Sequence, residues 1–281
     1  EGTGLFLLYN LISEQSGENI MIKQITDKEV LAEFFLKSPY VHLYKFMYME
    51  PYMFPNTVWH ASYDGGEIKA IALTYKGKEQ SAFYLLEDKN KNNAAEILDE
   101  IIGTLPDKLY SHVTPGLEAP FEKRYKVTSK KFQHTMGING DMLVNNCIKY
   151  PQYTYKVNER DFETLYEYIQ GINPGLFFGR EMMKTGKYYM IRKNSDIIST
   201  AGVHFLNDKY KIAAIGNVAT APEYRGKGYA SSIVASLVRD LWDDFEYIGL
   251  NVKAGNEAAL KAYTKIGFVS ATTHNEIIME K

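Results

Sequence analysis

The sequence predicts a mixed α/β fold in which one strand-and-helix plan runs twice along the chain. Three observations predict it. An apolar run ending at Thr220 leads straight into the turn Arg225-Gly226-Lys227-Gly228, and the turn leads into a strongly amphipathic helix. The strand and helix patterns that follow residue 153 repeat, in outline, those between residues 21 and 136. The chain has 281 residues and 45% apolar content, which is ample for a globular core and long enough for two domains.

In the first half, Met21 to Ile25 reads as a strand, and Thr26-Asp-Lys-Glu29 reads as a capping box before a helix carrying Val30, Leu31, Phe34 and Phe35. Val58 to Ser62, Ile68 to Tyr75 and Ser81 to Leu86 read as strands, the first two joined by Asp64-Gly65-Gly66. A helix follows with Ala94, Ile97, Leu98, Ile101 and Leu105 inside. Leu109 to Val113 and Lys131 to Met136 read as closing strands.

The second half opens with a strand from Tyr153 to Val157. Asn158 then caps a helix with Phe162, Leu165, Tyr166 and Ile169 on one face. A short extra helix fits Gly179 to Met183. Tyr188 to Ile191 and Ile198 to Phe205 are strands joined at Asn194-Ser195-Asp196, and Lys211 to Thr220 is the next strand. The helix after the glycine turn places Ala230, Ile233, Val234, Leu237, Val238, Leu241 and Trp242 on one face. A strand from Tyr247 to Val252, a helix from Asn256 and a last strand around Ile277 complete the order.

The glycine turn carries the chemistry. Gly226 and Gly228 have no Cβ, so backbone N–H groups can close on an anion. The following helix offers unpaired N–H groups and a positive dipole end at the same point. Arg225 and Lys227 add charge, and the product is a pyrophosphate site. A nucleotide P-loop needs Ser or Thr after the Gly-Lys pair, and Gly228 stands there. A dinucleotide fingerprint needs a third Gly or Ala, and position 231 is Ser.

The stretch from Arg225 to Ala230 resembles the (Gln/Arg)-x-x-Gly-x-(Gly/Ala) loop of the GNAT superfamily of acyl-CoA-dependent N-acyltransferases. Downstream, Asn256-Glu-Ala-Ala-Leu-Lys-Ala-Tyr263-Thr-Lys-Ile-Gly267-Phe268 is similar to the superfamily's second signature. Asn256 and Tyr263 are about two helical turns apart and share a face. The resemblance implies tandem GNAT-like domains, each a twisted mixed sheet flanked by helices. Residues 1–20 form an extension, 21–140 a degenerate domain and 141–281 the catalytic one. In the first half the counterpart of the glycine turn, Asp88 to Asn93, has no glycine.

The resemblance also implies roles. Arg225, Gly226, Lys227, Gly228, Tyr229, Ala230 and Ser231 hold the pyrophosphate of acetyl-CoA. Backbone groups of Val218, Ala219 and Thr220 bind the pantetheine arm, and one N–H there polarises the thioester carbonyl. Tyr263 is the general acid for the departing thiolate, since a phenol keeps its proton at neutral pH. Asn256 caps its helix and contacts the cofactor. His204 is the candidate base, Asn217 can help bind substrate, and Glu223 is a loop charge beside Arg225. The acceptor is a small-molecule or peptide amine.

Other features bound the function. A net charge of −2 gives no global pull toward nucleic acid or anionic membrane. The single cysteine, Cys147, forms no internal disulfide, which is compatible with a cytoplasmic protein, and it reads as an inert thiol. The six histidines show no metal-ligand spacing, so no metal is expected. The apolar run near residue 5 is too short to span a bilayer. Two other functions stay open: a tandem-domain transferase using aminoacyl-tRNA, and a non-catalytic acyl-CoA-binding regulatory module.

Overall fold

The structure, a computed structural model, describes residues 20–87, 89–138, 154–174 and 176–281. Cys147, Asp88 and the extension before Ile20 lie outside the described residues, as does Tyr153 at the expected strand start.

The strands are β1 (Met21–Ile25), β2 (Thr57–Asp64), β3 (Glu67–Tyr75), β4 (Ser81–Leu85), β5 (Lys108–Val113) and β6 (Lys126–Ile138), then β7 (Thr154–Lys156), β8 (Tyr188–Lys193), β9 (Asp196–Asn207), β10 (Ile212–Thr220), β11 (Tyr247–Lys253) and β12 (Val269–Glu280). The helices are α1 (Lys28–Leu36), α2 (Lys91–Ile101), α3 (Ala119–Glu122), α4 (Phe162–Ile172), α5 (Arg180–Met183), α6 (Tyr229–Leu241) and α7 (Glu257–Ile266). Two 3-10 segments, Leu43–Met49 and Phe54–Asn56, occupy a stretch in which the sequence pattern shows no element.

All twelve strands form one mixed sheet in the order β1-β2-β3-β4-β5-β12-β6-β11-β10-β9-β8-β7. Two neighbouring pairs are parallel, β4 with β5 and β10 with β11. Each needs a crossover, and α2 and α6 supply them. The halves exchange their final strands. Lys131 to Met136, expected to close the first half, lies in β6, which pairs with β11 of the second half. In return β12 pairs with β5 of the first half, and β6 and β12 pair with each other along nearly their whole length. The two half-sheets are thereby continuous, because each long closing strand satisfies backbone groups on both of its edges.

Local chemistry sets the boundaries. Asp27, not Thr26, is the N-cap of α1: its carboxylate accepts the backbone N–H groups of Glu29 and Val30. Gly65 and Gly66 both adopt positive φ in the β2–β3 turn, which an Asp-Gly-Gly hairpin turn requires. Asn158 forms its capping box, with one 3-10 turn before α4, and Tyr166 of α4 points to solvent while Phe162, Leu165 and Ile169 are buried.

The core has two kinds of layer. On one face, α6 buries Ile233, Val234, Leu237, Val238 and Leu241 with Tyr263, Ile266 and Phe268 against β9, β10 and β11. Each such side chain contributes roughly 1.5–3 kcal/mol by leaving water. On the other, residues of α1 and of the first 3-10 segment, including Leu31, Phe35, Leu43 and Phe46, pack with Phe205, Ile212 and Ala214 of the second half. One core is therefore shared by both halves.

Candidate functional site

Strands β10 and β11 start as partners and then part. Ile212 to Ile215 pair with Tyr247 to Leu250, and that register ends at Ile215 opposite Leu250. Beyond it β10 stays bound to β9 alone, with Ala219 opposite Thr200 and Thr220 opposite Ser199, while β11 stays bound to β6 through Asn251, Val252 and Lys253. The register against β9 shifts between Gly216 and Ala219, where Asn217 takes a positive φ of 53°. This bulge re-aims the strand. The edges of Val218, Ala219 and Thr220 and of Asn251 to Lys253 thus form the two arms of a fork.

The glycine turn stands at the end of the β10 arm. Gly226 and Gly228 have φ of 74° and 83°, in the left-handed region that favours glycine. Open space faces both: a Cβ at either position would meet nothing within 4 Å. Arg225 Nε donates to the Thr220 carbonyl (3.1 Å) and Lys227 Nζ to the Glu223 carbonyl (2.9 Å), which ties the turn back to the strand end. Glu223 thus engages the loop through its backbone. Gly228 is the N-cap of α6 and brings no side-chain acceptor, so the first N–H groups of the helix, at Tyr229, Ala230 and Ser231, are left for an anion. The turn residues are exposed, Tyr229 and Ala230 half-buried and Ser231 buried.

Asn256 caps α7 by accepting the Ala259 N–H (3.1 Å). The helix ends at Gly267, φ 118°, whose N–H bonds back to Tyr263 and Thr264. Tyr263 is 6% exposed in the α6–α7 core, and burial pushes its phenol well above the usual range, so it holds its proton. His204 lies on the opposite face of the sheet, over Gly216. Burial lowers its pKa to about 4, opposed by the Asn217 side chain beside it. Its Nε2 and the Asn217 Oδ1 are both buried without a partner among the described residues. The Asn217 amide donates to the Tyr188 hydroxyl (2.9 Å), which donates to the Val203 carbonyl (3.0 Å).

Tyr263 and His204 therefore approach the fork from opposite faces. The residue that reaches toward both is Tyr44, whose ring centroid lies 6.2 Å from that of His204 and whose phenol is raised chiefly by burial and, to a smaller extent, by nearby Glu276 and Tyr263. The sequence reading missed it, because it belongs to a 3-10 segment with no periodic pattern. Among the described residues no group of three or more His, Cys, Asp or Glu side chains could hold a metal ion. No helix there is long and apolar enough to cross a membrane.

The forked parallel pair and the glycine-capped helix at its end lie in the part of the chain that a family model matches. Residues 148–268 match the model of the acetyltransferase (GNAT) family, which includes both the glycine turn and the segment from Asn256 to Phe268. Through this region the chain belongs to the GNAT superfamily. It is similar to a Drosophila protein at 12% identity and TM-score 0.66, covering 94% of this chain and 99% of that one. An acetyltransferase of the GNAT family from Colwellia psychrerythraea aligns at 13% identity and TM-score 0.50, covering 93% and 100%. A GCN5-related N-acetyltransferase from Sphaerobacter thermophilus aligns at 15% and 0.51, covering 79% and 80%. At these identities the likeness concerns the fold. No curated protein matches the chain.

Proposed function

We propose that this protein is an acetyl-CoA-dependent N-acetyltransferase that moves the acetyl group directly to a primary amine in a ternary complex. The observation that carries this reading is the parting of β10 and β11 after Ile215 and Leu250, with the Gly226–Gly228 cradle at the end of the open arm. The fork accepts an extended arm, and the cradle an anion at the end of that arm. Residues 141–281 then form the catalytic domain and 21–140 a degenerate GNAT-like one, with β6 and β12 exchanged between them. The single cysteine supports a cytoplasmic setting.

In this reading acetyl-CoA supplies an activated acyl carbon. The amine nitrogen forms a bond to that carbon and the carbon–sulfur bond breaks. The thiolate takes the proton of the Tyr263 phenol, and the surplus proton of the nitrogen passes to His204, which is neutral at pH 7. The backbone of Val218, Ala219 and Thr220 holds the arm, the turn from Arg225 to Ser231 holds the pyrophosphate, and Asn256 steadies the helix that carries Tyr263. The acceptor is a small-molecule or peptide amine.

Calorimetric titration of acetyl-CoA, with NAD and ATP as controls, tests the reading. Selective binding of acetyl-CoA supports it, and its loss in Gly228→Trp with an unchanged melting curve supports the placement of the cradle. Tyr263→Phe should bind acetyl-CoA like the wild type and release free thiol more slowly, by roughly 10²-fold or more when an acid is lost. A protein that binds acetyl-CoA yet turns over equally fast without that phenol would be a binding module or use another acid.

A further inference from the structure

The first 3-10 segment belongs to the N-terminal half but lies flat on the C-terminal half's sheet. Two glycines make this possible. A Cβ on Gly137 would sit 2.5 Å from the Tyr40 ring, and one on Gly249 would sit 2.7 Å from Leu43 Cδ2. The Tyr40 hydroxyl donates to the Ile138 carbonyl (2.6 Å) and pins the approach. With Tyr40 and Leu43 held down on β6 and β11, Tyr44 is delivered to the apex of the fork.

Its surroundings there are specific. The ring meets His204, Phe205 and His112 edge-on, at centroid distances of 6.2, 6.0 and 5.9 Å. The backbone N–H of Asn251 lies beside its hydroxyl, and Asn251 is the first residue of β11 beyond the last pairing with β10. The Asn251 side chain is engaged elsewhere, accepting from Thr135 Oγ1 (2.8 Å). Tyr44 stays half-buried although protein surrounds it, so it lines a cleft rather than filling a core. Among the described residues no protein group accepts its hydroxyl hydrogen. That hydroxyl thus lies beside the Asn251 backbone, with its own hydrogen available at the point where the strands part.

We propose that Tyr44 is a further catalytic residue, supplied by the N-terminal half, and that its hydroxyl donates a hydrogen bond to the carbonyl oxygen of the bound thioester. The proposal rests on the acetyl-CoA reading above. As the amine adds, the electron pair of the C=O bond moves onto oxygen, and an O–H donor carried to that point by the packed segment stabilises the charge. No proton leaves Tyr44. The pair returns as the carbon–sulfur bond breaks, and the thiolate takes its proton from Tyr263. The two phenols have separate partners, one for oxygen and one for sulfur. The N-terminal half then has a chemical reason to stay packed against a domain that already carries the cofactor loop.

The test is the infrared carbonyl band of acetyl-CoA labelled with carbon-13 at the thioester carbon, bound to wild type, Tyr44→Phe and Tyr263→Phe. Phenylalanine keeps the ring contacts and removes only the hydroxyl, and a melting curve verifies that the fold is retained. The expected result is a band shifted to higher frequency in Tyr44→Phe and unmoved in Tyr263→Phe. An identical band in wild type and Tyr44→Phe overturns the role of Tyr44 and leaves the acetyl-CoA reading standing. Absence of acetyl-CoA binding to the wild type overturns both.

Discussion

Glu87 turns its carboxylate back onto the backbone N–H of Asn90 (3.1 Å) and also accepts from Lys89 N–H (2.9 Å). These donors stand in the loop just before α2, the place that the glycine turn takes before α6 in the second half. In the first half a carboxylate thus organises the loop that leads into the helix, where the second half carries its open glycine turn. The strands of the first half do not part either: β4 and β5 pair through Leu85 and Val113, and Thr114 extends the closure by donating its N–H to Leu85 and accepting the Glu87 N–H (2.7 Å).

The expected calorimetric stoichiometry is one acetyl-CoA per chain. Gly228→Trp should remove all binding rather than half of it. A residual equivalent in that variant would place a second site in the first half and contradict the closed β4–β5 pair.

Gly216 is required by space, not by backbone angle. A Cβ there would lie 1.9 Å from the half-buried His204 ring, whose Nε2 is itself enclosed. Gly216→Ala should destabilise the protein by about 1–3 kcal/mol through overpacking. Adding His204→Ala should recover part of the loss. Additive losses in the double-mutant cycle, read from urea midpoints, would show that the two positions do not compete for one volume.

Several imidazoles are buried in the neutral form. Burial lowers His204 to about 4 and His112 to about 3, and takes His42 and His274 well below the ordinary 6.5. Between those values the unfolded chain binds more protons than the folded one. Stability is therefore fully present above about pH 6.5 and is lost as pH falls toward 4. For His204 alone the loss at pH 5 is about 2 kcal/mol. Urea midpoints at pH 7.5 and pH 5 measure this, and His112→Asn should lose less between the two pH values than the wild type. Equal losses would mean that His112 stays protonated in the fold.

Lys45 is 1% exposed, bonds through Nζ to the Ile71 carbonyl (2.7 Å) and lies over the Phe35 ring. Burial lowers its pKa from 10.5 to about 7, with Glu87 opposing. Between pH 7 and 10.5 the unfolded chain holds a proton that the folded one has released, so stability should rise with pH across that window. From pH 7 to pH 9 the rise is on the order of 2–3 kcal/mol. Lys45→Met should abolish it. A wild type whose urea midpoint does not rise over that interval would show that the ammonium survives burial.

The sequence by itself determined the elements and the cradle. Amphipathic spacing fixes α6, Asn256 and Gly267 fix the two ends of α7, and the Gly-Lys-Gly turn fixes an open left-handed loop at the start of α6, because each depends on residues within two or three turns of one another. Thr26 was misread for Asp27 because two neighbouring side chains can both cap and only the folded backbone chooses. Tertiary structure decided the rest. The exchange of β6 and β12 depends on pairing between strands more than a hundred residues apart, and no local pattern encodes a partner. The order of the loop before α2 depends on where the Glu87 carboxylate comes to rest. Tyr44 carries no motif and reaches the fork only because Gly137 and Gly249, distant in sequence, leave room for its segment to lie flat. Local propensity names the pieces, while long-range packing sets which of them face the same cleft.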